Sequence, residues 1–255
     1  MKNKIILLSG DPNSINSEII YKTWKKLNNS QKKRIFLIAN YNLIREQFKK
    51  LKYYIKIKKV KGISDTSTVK CLKIIDINFK FKDSFKTPKN ATTKFIKKSL
   101  NLGHKLALKN DVTGLINCAI DKKLINKKGY GVTEYLASKC ELQDNSEAML
   151  IYNNSLSVSP LTTHIDIKNI SRKIVAKTII SKVNTINKWF KKVKKRKPKI
   201  GLLGLNPHNA EYRKNSEEKK IIIPSIRKMK NSNININGPL VADTVFIKDY
   251  KKYDV

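Results

Sequence analysis

The chain alternates short apolar runs with longer stretches in which apolar residues recur at helical spacing. A short apolar run between turn signals is typical of a buried strand, and apolar residues at positions i, i+3, i+4 and i+7 are typical of an amphipathic helix. The runs predict strands over 4–9, 34–39, 55–60, 72–77, 112–120, 148–152, 155–158 and 199–205. The helical spacing predicts helices over 15–27, 41–51, 92–109, 170–190 and 217–229.

This alternation predicts an α/β fold with a largely parallel sheet. In such a sheet, functional residues lie at the carboxyl ends of the strands. Two turn signals interrupt the pattern in the second half. Asn153-Asn154 predicts a hairpin between two short strands, and Asn237-Gly238-Pro239-Leu240 predicts a turn.

The three histidines differ in their positions along this pattern. His104 falls within a predicted helix, where an ordinary surface or half-buried residue is expected. His164 and His208 each follow an apolar strand near its carboxyl end. Neutral imidazole is a common ligand of divalent metals, so these two residues are candidates for part of a metal site. Two ligands alone leave such a site incomplete.

The loop Gly10-Asp11-Pro12 follows the first predicted strand. It is either a phosphate- or substrate-binding loop or an ordinary turn. It has neither the GxGxxG pattern of dinucleotide-binding folds nor the GxxxxGK[ST] pattern of a P-loop, so its sequence does not decide between the two.

Composition adds a net charge of +36, from 55 Lys and Arg against 19 Asp and Glu. Such a charge suggests a nucleic-acid partner. However, 49 of the basic residues are Lys and only six are Arg, the residue that pairs bidentately with phosphate and guanine. Lys, Ile and Asn dominate the chain and share A/T-rich codons, so codon usage explains the charge better. The densest basic run, 188–199, is more simply a solvated helix end and a linker.

Other features narrow the class of protein. A hydrophobic content of 40% excludes wholesale disorder. No run approaches the ~20 apolar residues of a membrane span, and the apolar run near the N-terminus is too short for a secretory signal. Three widely spaced cysteines fit a reducing compartment. We therefore expect a cytoplasmic protein without a membrane partner.

Several motifs resemble those of the 4-hydroxythreonine-4-phosphate dehydrogenase family of vitamin B6 biosynthesis. The most specific are Gly204–Glu211 (GLNPHNAE) and Asn237–Phe246 (NGPLVADTVF), with Ile221–Pro224 (IIIP) between them. Ser9–Pro12 with Glu18, Thr133–Ala137 (TEYLA) and Leu161–His164 (LTTH) fall in the family's order. The resemblance extends over the whole chain.

This resemblance implies a two-domain α/β fold similar to isocitrate and isopropylmalate dehydrogenases. An N-terminal domain would span 1–125, and a second, carrying the metal-site histidines, would span 126–255. It also implies a homodimer with its active site at the subunit interface. The activity implied is the NAD-dependent oxidation of 4-hydroxy-L-threonine phosphate, with decarboxylation to 3-amino-2-oxopropyl phosphate. A divalent metal, zinc, magnesium or cobalt, would assist by lowering the pKa of the substrate hydroxyl.

The resemblance also assigns roles to individual residues. His164 and His208 match two of the family's three metal-binding histidines. Thr133 matches a substrate-binding threonine, while Lys122 and Asp243 match residues placed in the catalytic machinery. Lys122 is otherwise one more solvated lysine, and Asp243 a turn or cap residue before Thr244. No cofactor-binding residue is assigned.

The chain departs from the family pattern at three places. Val132 and Asp121 stand where the family has histidine. The chain also ends at Val255, before the family's third metal histidine and the strands that complete the sheet. We therefore expect an incomplete second domain, and expect that the 255-residue chain alone does not turn over substrate. The alternatives are an inactive relative, an enzyme for a related substrate, or a basic nucleic-acid-binding protein.

Overall fold

The computed structural model describes residues 3–65, 70–125, 131–140, 146–163 and 165–255. The chain forms two compact units, Met1–Cys140 and Glu141–Val255. Each unit contains its own parallel sheet and its own apolar core. The predicted α/β class with a parallel sheet is therefore confirmed.

The first unit is built on a five-stranded parallel sheet of order β3-β4-β2-β1-β5. All five strands follow predicted apolar runs. They are β1 (Lys4–Leu8), β2 (Ile35–Ala39), β3 (Lys56–Val60), β4 (Cys71–Asp76) and β5 (Val112–Asn117). The strands β2, β3 and β4 lie on one side of β1, and β5 lies on its other side. The carboxyl ends of β1 and β5 therefore form the topological switch point, where ligands bind in open α/β sheets.

Helices cover both faces of this sheet. They are α1 (Asn16–Lys26), α2 (Asn29–Arg34), α3 (Tyr41–Lys50), α4 (Lys89–Ala107) and α5 (Val132–Lys139). Alternate side chains of β2 point to opposite faces, as the strand period requires. Phe36 and Ile38 pack with the α4 residues Phe95 and Leu100, while Leu37 packs on the other face with residues of α1 and α3.

The first unit extends beyond residue 125 because α5 packs against it. Val132, Tyr135 and Leu136 lie against the core that contains α4. The hydroxyl of Tyr135 also donates a hydrogen bond to the side-chain oxygen of Asn101 on α4, at 2.8 Å. The division between the units consequently follows Cys140.

The second unit contains a pair of parallel strands covered by helices. Its elements are α6 (Ile170–Lys173), α7 (Ala176–Lys194), β6 (Ile200–Leu203), α8 (Ile223–Asn231), β7 (Ile236–Leu240) and α9 (Val245–Lys248). A π-helical turn, Glu218–Ile222, leads directly into α8. Short 3-10 turns occupy Lys122–Leu124 in the first unit and Ile167–Asn169 and Tyr250–Lys252 in the second, while Pro207–Tyr212 forms a turn with positive φ.

Three sequence predictions for this unit were wrong in detail. The segment 237–240 is not a turn but part of β7, because Ile236 and Asn237 pair with β6. The predicted hairpin around Asn153-Asn154 is reduced to a single antiparallel bridge between Ile151 and Val158. The predicted helix 170–190 is interrupted between α6 and α7, where Ile174 and Val175 adopt extended backbone.

The basic run 188–199 forms a helix end and a linker, as the sequence analysis predicts. Residues 188–194 form the end of α7, and 195–199 connect it to β6. Arg196 is engaged within the protein, since its two terminal nitrogens contact the Asp254 carboxylate at 2.7 and 2.5 Å. The Arg196 hydrogen bond and charge lower the pKa of Asp254 despite its partial burial. No helix in the described part of the chain is both long and apolar enough to span a bilayer.

Candidate active site

The loop after β1 is fastened to the end of β5 at the switch point of the first sheet. The backbone N–H of Asp11 donates to the carbonyl oxygen of Ala119 at 3.0 Å. The side-chain amide of Asn16 donates to that oxygen at 2.8 Å and accepts from the Ala119 N–H at 3.1 Å. Gly10 permits this approach, with φ of +71° and no room for a Cβ. The structure therefore shows a fixed loop at the position where the fold places ligands.

Side-chain amides hold the same loop from its other side. The Asn13 side chain accepts from the N–H of Thr87 at 2.8 Å and donates to its carbonyl at 3.0 Å. Gln47, buried on α3, donates to the carbonyls of Pro12 and Ser84 at 2.9 and 2.7 Å. The sequence analysis missed these supporting amides, because their partners are distant in sequence.

Lys122 and Thr133 lie on neighbouring segments of the first unit, and both are exposed. Lys122 opens the 3-10 turn after β5, where Asp121 caps the N–H of Lys123 at 2.9 Å. Thr133 is in the first turn of α5, whose start is capped by the Glu134 carboxylate on the N–H of Gly131 at 2.9 Å. The Lys122 side chain reaches this helix start, because its Cε lies 3.9 Å from an ideal Cβ position on Gly131.

Val132 has a packing role in this segment. Its side chain is half-buried and lies against the core of the first unit. An apolar residue suits this position for that reason. Asp121 caps a turn by its carboxylate, which also gives it a structural role.

His208 and Asp243 come together in the second unit, as the order of strands requires. Each follows the carboxyl end of one of two neighbouring parallel strands, β6 and β7. The Nδ1 atom of His208 lies 3.8 Å from Oδ2 of Asp243, and both side chains are largely exposed. An imidazole nitrogen and a carboxylate oxygen are both suitable ligands for a borderline divalent metal.

The backbone that carries His208 is a left-handed turn. Five consecutive residues, 208–212, have φ between 50° and 56°, and none of them is glycine. For residues with a Cβ, this conformation costs about 1–2 kcal/mol each, so it persists only where the surroundings enforce it. Such strain is typical of functional sites.

Position 211 tests this strain directly. Glu211 is exposed and has φ of +50°. We expect the Glu211→Gly variant to be more stable than Glu211→Ala by about 1 kcal/mol, because glycine adopts positive φ without steric cost. Both changes remove the same charge, so the difference reports the backbone alone. Urea denaturation measures it.

Lys188, exposed in α7, provides the matched control. Within a right-handed helix the order should reverse, with Lys188→Ala more stable than Lys188→Gly by about 1 kcal/mol. If the glycine and alanine variants had the same order of stability at positions 211 and 188, the left-handed turn would be contradicted.

Contacts on both sides of the turn hold it in place. Asn209 is buried, and its Nδ2 donates to the carbonyl of Pro239 at 3.1 Å and to the Tyr212 hydroxyl at 3.3 Å. Glu218 is fully buried, and its carboxylate accepts from the N–H groups of Leu205 and Asn206 at 2.9 and 2.8 Å. Burial alone would raise the pKa of Glu218, but these hydrogen bonds outweigh it and lower the pKa below its usual value.

The second histidine proposed as a metal ligand, His164, lies outside the described residues. Within the ranges that the structure does describe, no group of three or more His, Cys, Asp or Glu side chains is arranged to hold a metal. His104, by contrast, is a half-buried helical residue, as expected. Its Nε2 lies 3.3 Å from the Sγ atom of Cys140.

Comparison with known proteins agrees with the motifs and the fold. Residues 31–255 match the family model described as "Pyridoxal phosphate biosynthetic protein PdxA". The chain is 34% identical to a 4-hydroxythreonine-4-phosphate dehydrogenase of Sulfurihydrogenibium sp. (strain YO3AOP1), covering 99% of this chain and 78% of that protein. It is 30% identical to the enzyme of that name from Aquifex aeolicus (strain VF5), covering 97% and 77%.

A solved structure shows the same fold. The crystal structure of 4-hydroxythreonine-4-phosphate dehydrogenase from Klebsiella pneumoniae superposes with a TM-score of 0.85 at 22% identity, over 99% of this chain and 80% of that one. The fold shared with this structure and the match to the family model therefore agree. The chain belongs to the family of pyridoxal phosphate biosynthetic protein PdxA, and its relatives' names identify it as an oxidoreductase of the dehydrogenase type.

Proposed function

We propose that this protein is an NAD-dependent, divalent-metal-dependent dehydrogenase of 4-hydroxy-L-threonine 4-phosphate. The reaction removes a hydride from the carbon that bears the secondary hydroxyl and a proton from the hydroxyl. The β-keto acid so formed loses carbon dioxide to give 3-amino-2-oxopropyl phosphate. The observation that carries this proposal is the meeting of His208 and Asp243, each within a family motif, at the ends of adjacent parallel strands.

The residues at this position fit a divalent cation such as zinc, cobalt or magnesium. His208 offers an exposed imidazole and Asp243 an exposed carboxylate within 3.8 Å of it. By family resemblance, His208 and His164 are the metal ligands. When bound, the cation would lower the pKa of the substrate hydroxyl and polarise the carbonyl that forms.

The remaining proposed residues act on the substrate itself. The Asp243 carboxylate is proposed to accept the hydroxyl proton. The exposed hydroxyl of Thr133 would hydrogen-bond the substrate from the start of α5, a helix terminus that favours anions. The Lys122 ammonium would stabilise negative charge that develops on a substrate oxygen. NAD supplies the hydride acceptor, and no residue is assigned to its binding.

Val132 is the observation that favours a second candidate substrate. An apolar side chain packed against the core cannot hydrogen-bond a substrate, unlike the histidine that the family has there. An enzyme with valine at this position would accept a related phosphorylated hydroxy acid, with Thr133 and the metal ligands retained. A family member that has lost activity remains the other alternative.

Homodimer formation is also part of the proposal. Large apolar side chains are exposed on one part of the second unit, where the segment 148–158 lies beside the end of α7. They are Tyr152, Trp189 and Val193, which line one groove together. Exposed apolar surface of this kind is typical of protein–protein contacts. A cytoplasmic location fits the three free cysteines.

Calorimetry with Zn²⁺, followed by the phosphorylated substrate, tests the proposal. We expect His208→Ala to lower Zn²⁺ affinity by at least about tenfold, because a direct ligand is lost. His104→Ala serves as the matched control and should leave affinity unchanged. Substrate should bind only in the presence of metal.

With this 255-residue chain alone we expect binding without NADH absorbance, as the sequence analysis predicts. The appearance of NADH absorbance would contradict that expectation and would exclude an inactive relative. A related phosphorylated hydroxy acid, used as the competing substrate, separates the two substrate candidates. Equal Zn²⁺ affinity in His208→Ala and the parent protein would contradict the proposed metal site.

A further inference from the structure

Glu218 is an unusual carboxylate in this highly basic chain, because it is completely buried. One of its oxygens accepts the backbone N–H groups of Leu205 and Asn206 at 2.9 and 2.8 Å. The side-chain amide of Asn206 lies 3.2 and 3.1 Å from its two oxygens. Hydrogen bonds to an ionised acceptor are roughly twice as strong as neutral ones, so these bonds hold the segment firmly.

The segment that Glu218 holds is the connection between β6 and the left-handed turn. Leu205 and Asn206 lie between the end of β6 and Pro207, so their backbone sets the direction in which the turn begins. Gly204 allows the side chains of Glu218 and Asn209 to pack closely against this connection. A Cβ at Gly204 would come 3.4 Å from Oε1 of Glu218 and would overlap the Asn209 side chain. A shift of this connection would therefore move the turn that follows it.

The far side of the turn is held independently. Asn209 donates to the carbonyl of Pro239 in β7, the strand that leads to Asp243. His208 thus lies between two fixed points, Glu218 on the side of β6 and Asn209 on the side of β7. Because a left-handed turn without glycine relaxes when it is released, both restraints are needed to keep His208 beside Asp243.

We propose that Glu218 is a positioning residue for His208, which it holds at the metal-binding position through the Leu205–Asn206 connection. This inference rests on the proposed function of His208 as a metal ligand. Residues that hydrogen-bond a metal ligand directly commonly contribute about 10- to 100-fold to metal affinity. Glu218 acts on His208 through the Leu205–Asn206 backbone instead, so we expect an effect at the lower end of that range.

Glu218→Gln tests the inference with little change of shape. The glutamine side chain keeps one acceptor oxygen but has no charge. Its NH₂ group would face the side-chain amide of Asn206, which is itself a donor at that position. We expect Zn²⁺ affinity, measured by calorimetry, to fall about tenfold. Glu147→Gln, in the same unit but away from this loop, is the matched control and should retain the parent affinity. In the background of His208→Ala, Glu218→Gln should cause no further loss.

A second readout follows His208 itself. The imidazole C–H signals of His208 and His104 can be assigned by the two alanine variants. Glu218→Gln should shift the signals of His208 and leave those of His104 in place, which a general loss of stability would not do. Should Glu218→Gln fail to fold, Asn206→Ser takes its place in the test. It removes the contacts of the side-chain amide with Glu217 and Glu218 but keeps the backbone N–H, so the loss of affinity should be smaller.

Failure of the two proposals can be told apart. Unchanged Zn²⁺ affinity in His208→Ala would contradict the metal site, and the His208 signals in Glu218→Gln would still decide the positioning role. The opposite case is a loss of Zn²⁺ affinity in His208→Ala while Glu218→Gln keeps the parent affinity and unshifted His208 signals. This outcome would overturn the positioning role of Glu218 and leave the metal site standing.

Discussion

Replacing Gly238 with alanine is expected to lower the free energy of unfolding of the second unit by about 2–5 kcal/mol. Gly238 lies in β7 with φ of +144°, a conformation that residues with a Cβ rarely adopt. The added methyl group would overlap the carbonyl oxygen of Leu202 on the adjacent strand. The oxygen belongs to the backbone of Leu202 and cannot swing aside as a side chain could, so β7 would have to move away from β6.

The effect can be measured on the second unit separately. Trp24 lies in the first unit and Trp189 in the second, so in a Trp24→Phe background the fluorescence of Trp189 reports the second unit in urea. Lys230→Ala, at an exposed position of α8 in the same unit, is the control and should unfold at nearly the parent concentration. A Gly238→Ala midpoint equal to the parent value would refute the prediction. The separation of His208 and Asp243 should change with the strands, so Zn²⁺ affinity should fall too.

Gly10→Ala should produce a comparable loss, about 2–5 kcal/mol, in the first unit. Gly10 has φ of +71°, and a Cβ there would lie 2.5 Å from both the carbonyl oxygen of Ala119 and the amide nitrogen of Asn16. The new methyl group would therefore separate the loop after β1 from the end of β5. The free energy of unfolding of the first unit would fall, and the loop after β1 would become less ordered.

Gly114→Ala is the control for this change, because it lies in β5 with open space around its Cβ position. It should leave stability unchanged or raise it slightly, by about 0.5 kcal/mol. Amide hydrogen exchange at Asp11 and Ala119 provides the local measurement, since both N–H groups take part in the contacts that Gly10 permits. Unaltered exchange at both amides in Gly10→Ala would contradict the argument.

Hydrophobic periodicity was sufficient to predict the five strands and three of the helices of the first unit, α1, α3 and α4, but it missed α2 and α5. β1 and β2 are short and largely apolar on both faces, and α4 presents Phe95, Ile96 and Leu100 to the core, whereas β3 carries three lysines. These local patterns agree with the tertiary packing, so no outside information is needed. The order of the strands in the sheet was not predicted, because no local pattern records which strands pair.

The second unit was harder to predict because its features depend on partners distant in sequence. Asn237, Gly238 and Pro239 are turn-forming residues, yet they lie in a strand because β6 supplies the pairing. The left-handed turn lacks glycine, the residue that normally marks positive φ. Glu218 lies 12 residues after Asn206, among lysines, so its burial has no local signal.

The position of β1 inside its sheet, between β2 and β5, also affects how the first unit forms during synthesis. β1 is the first strand to be made, but its neighbour β5 begins only at Val112. Translation adds about 5–20 residues per second, so β1 has one open edge for several seconds after it leaves the ribosome. Contacts between such distant segments slow folding. An apolar strand with an unpaired edge is prone to aggregate, which makes chaperone binding to the nascent chain most useful before β5 emerges.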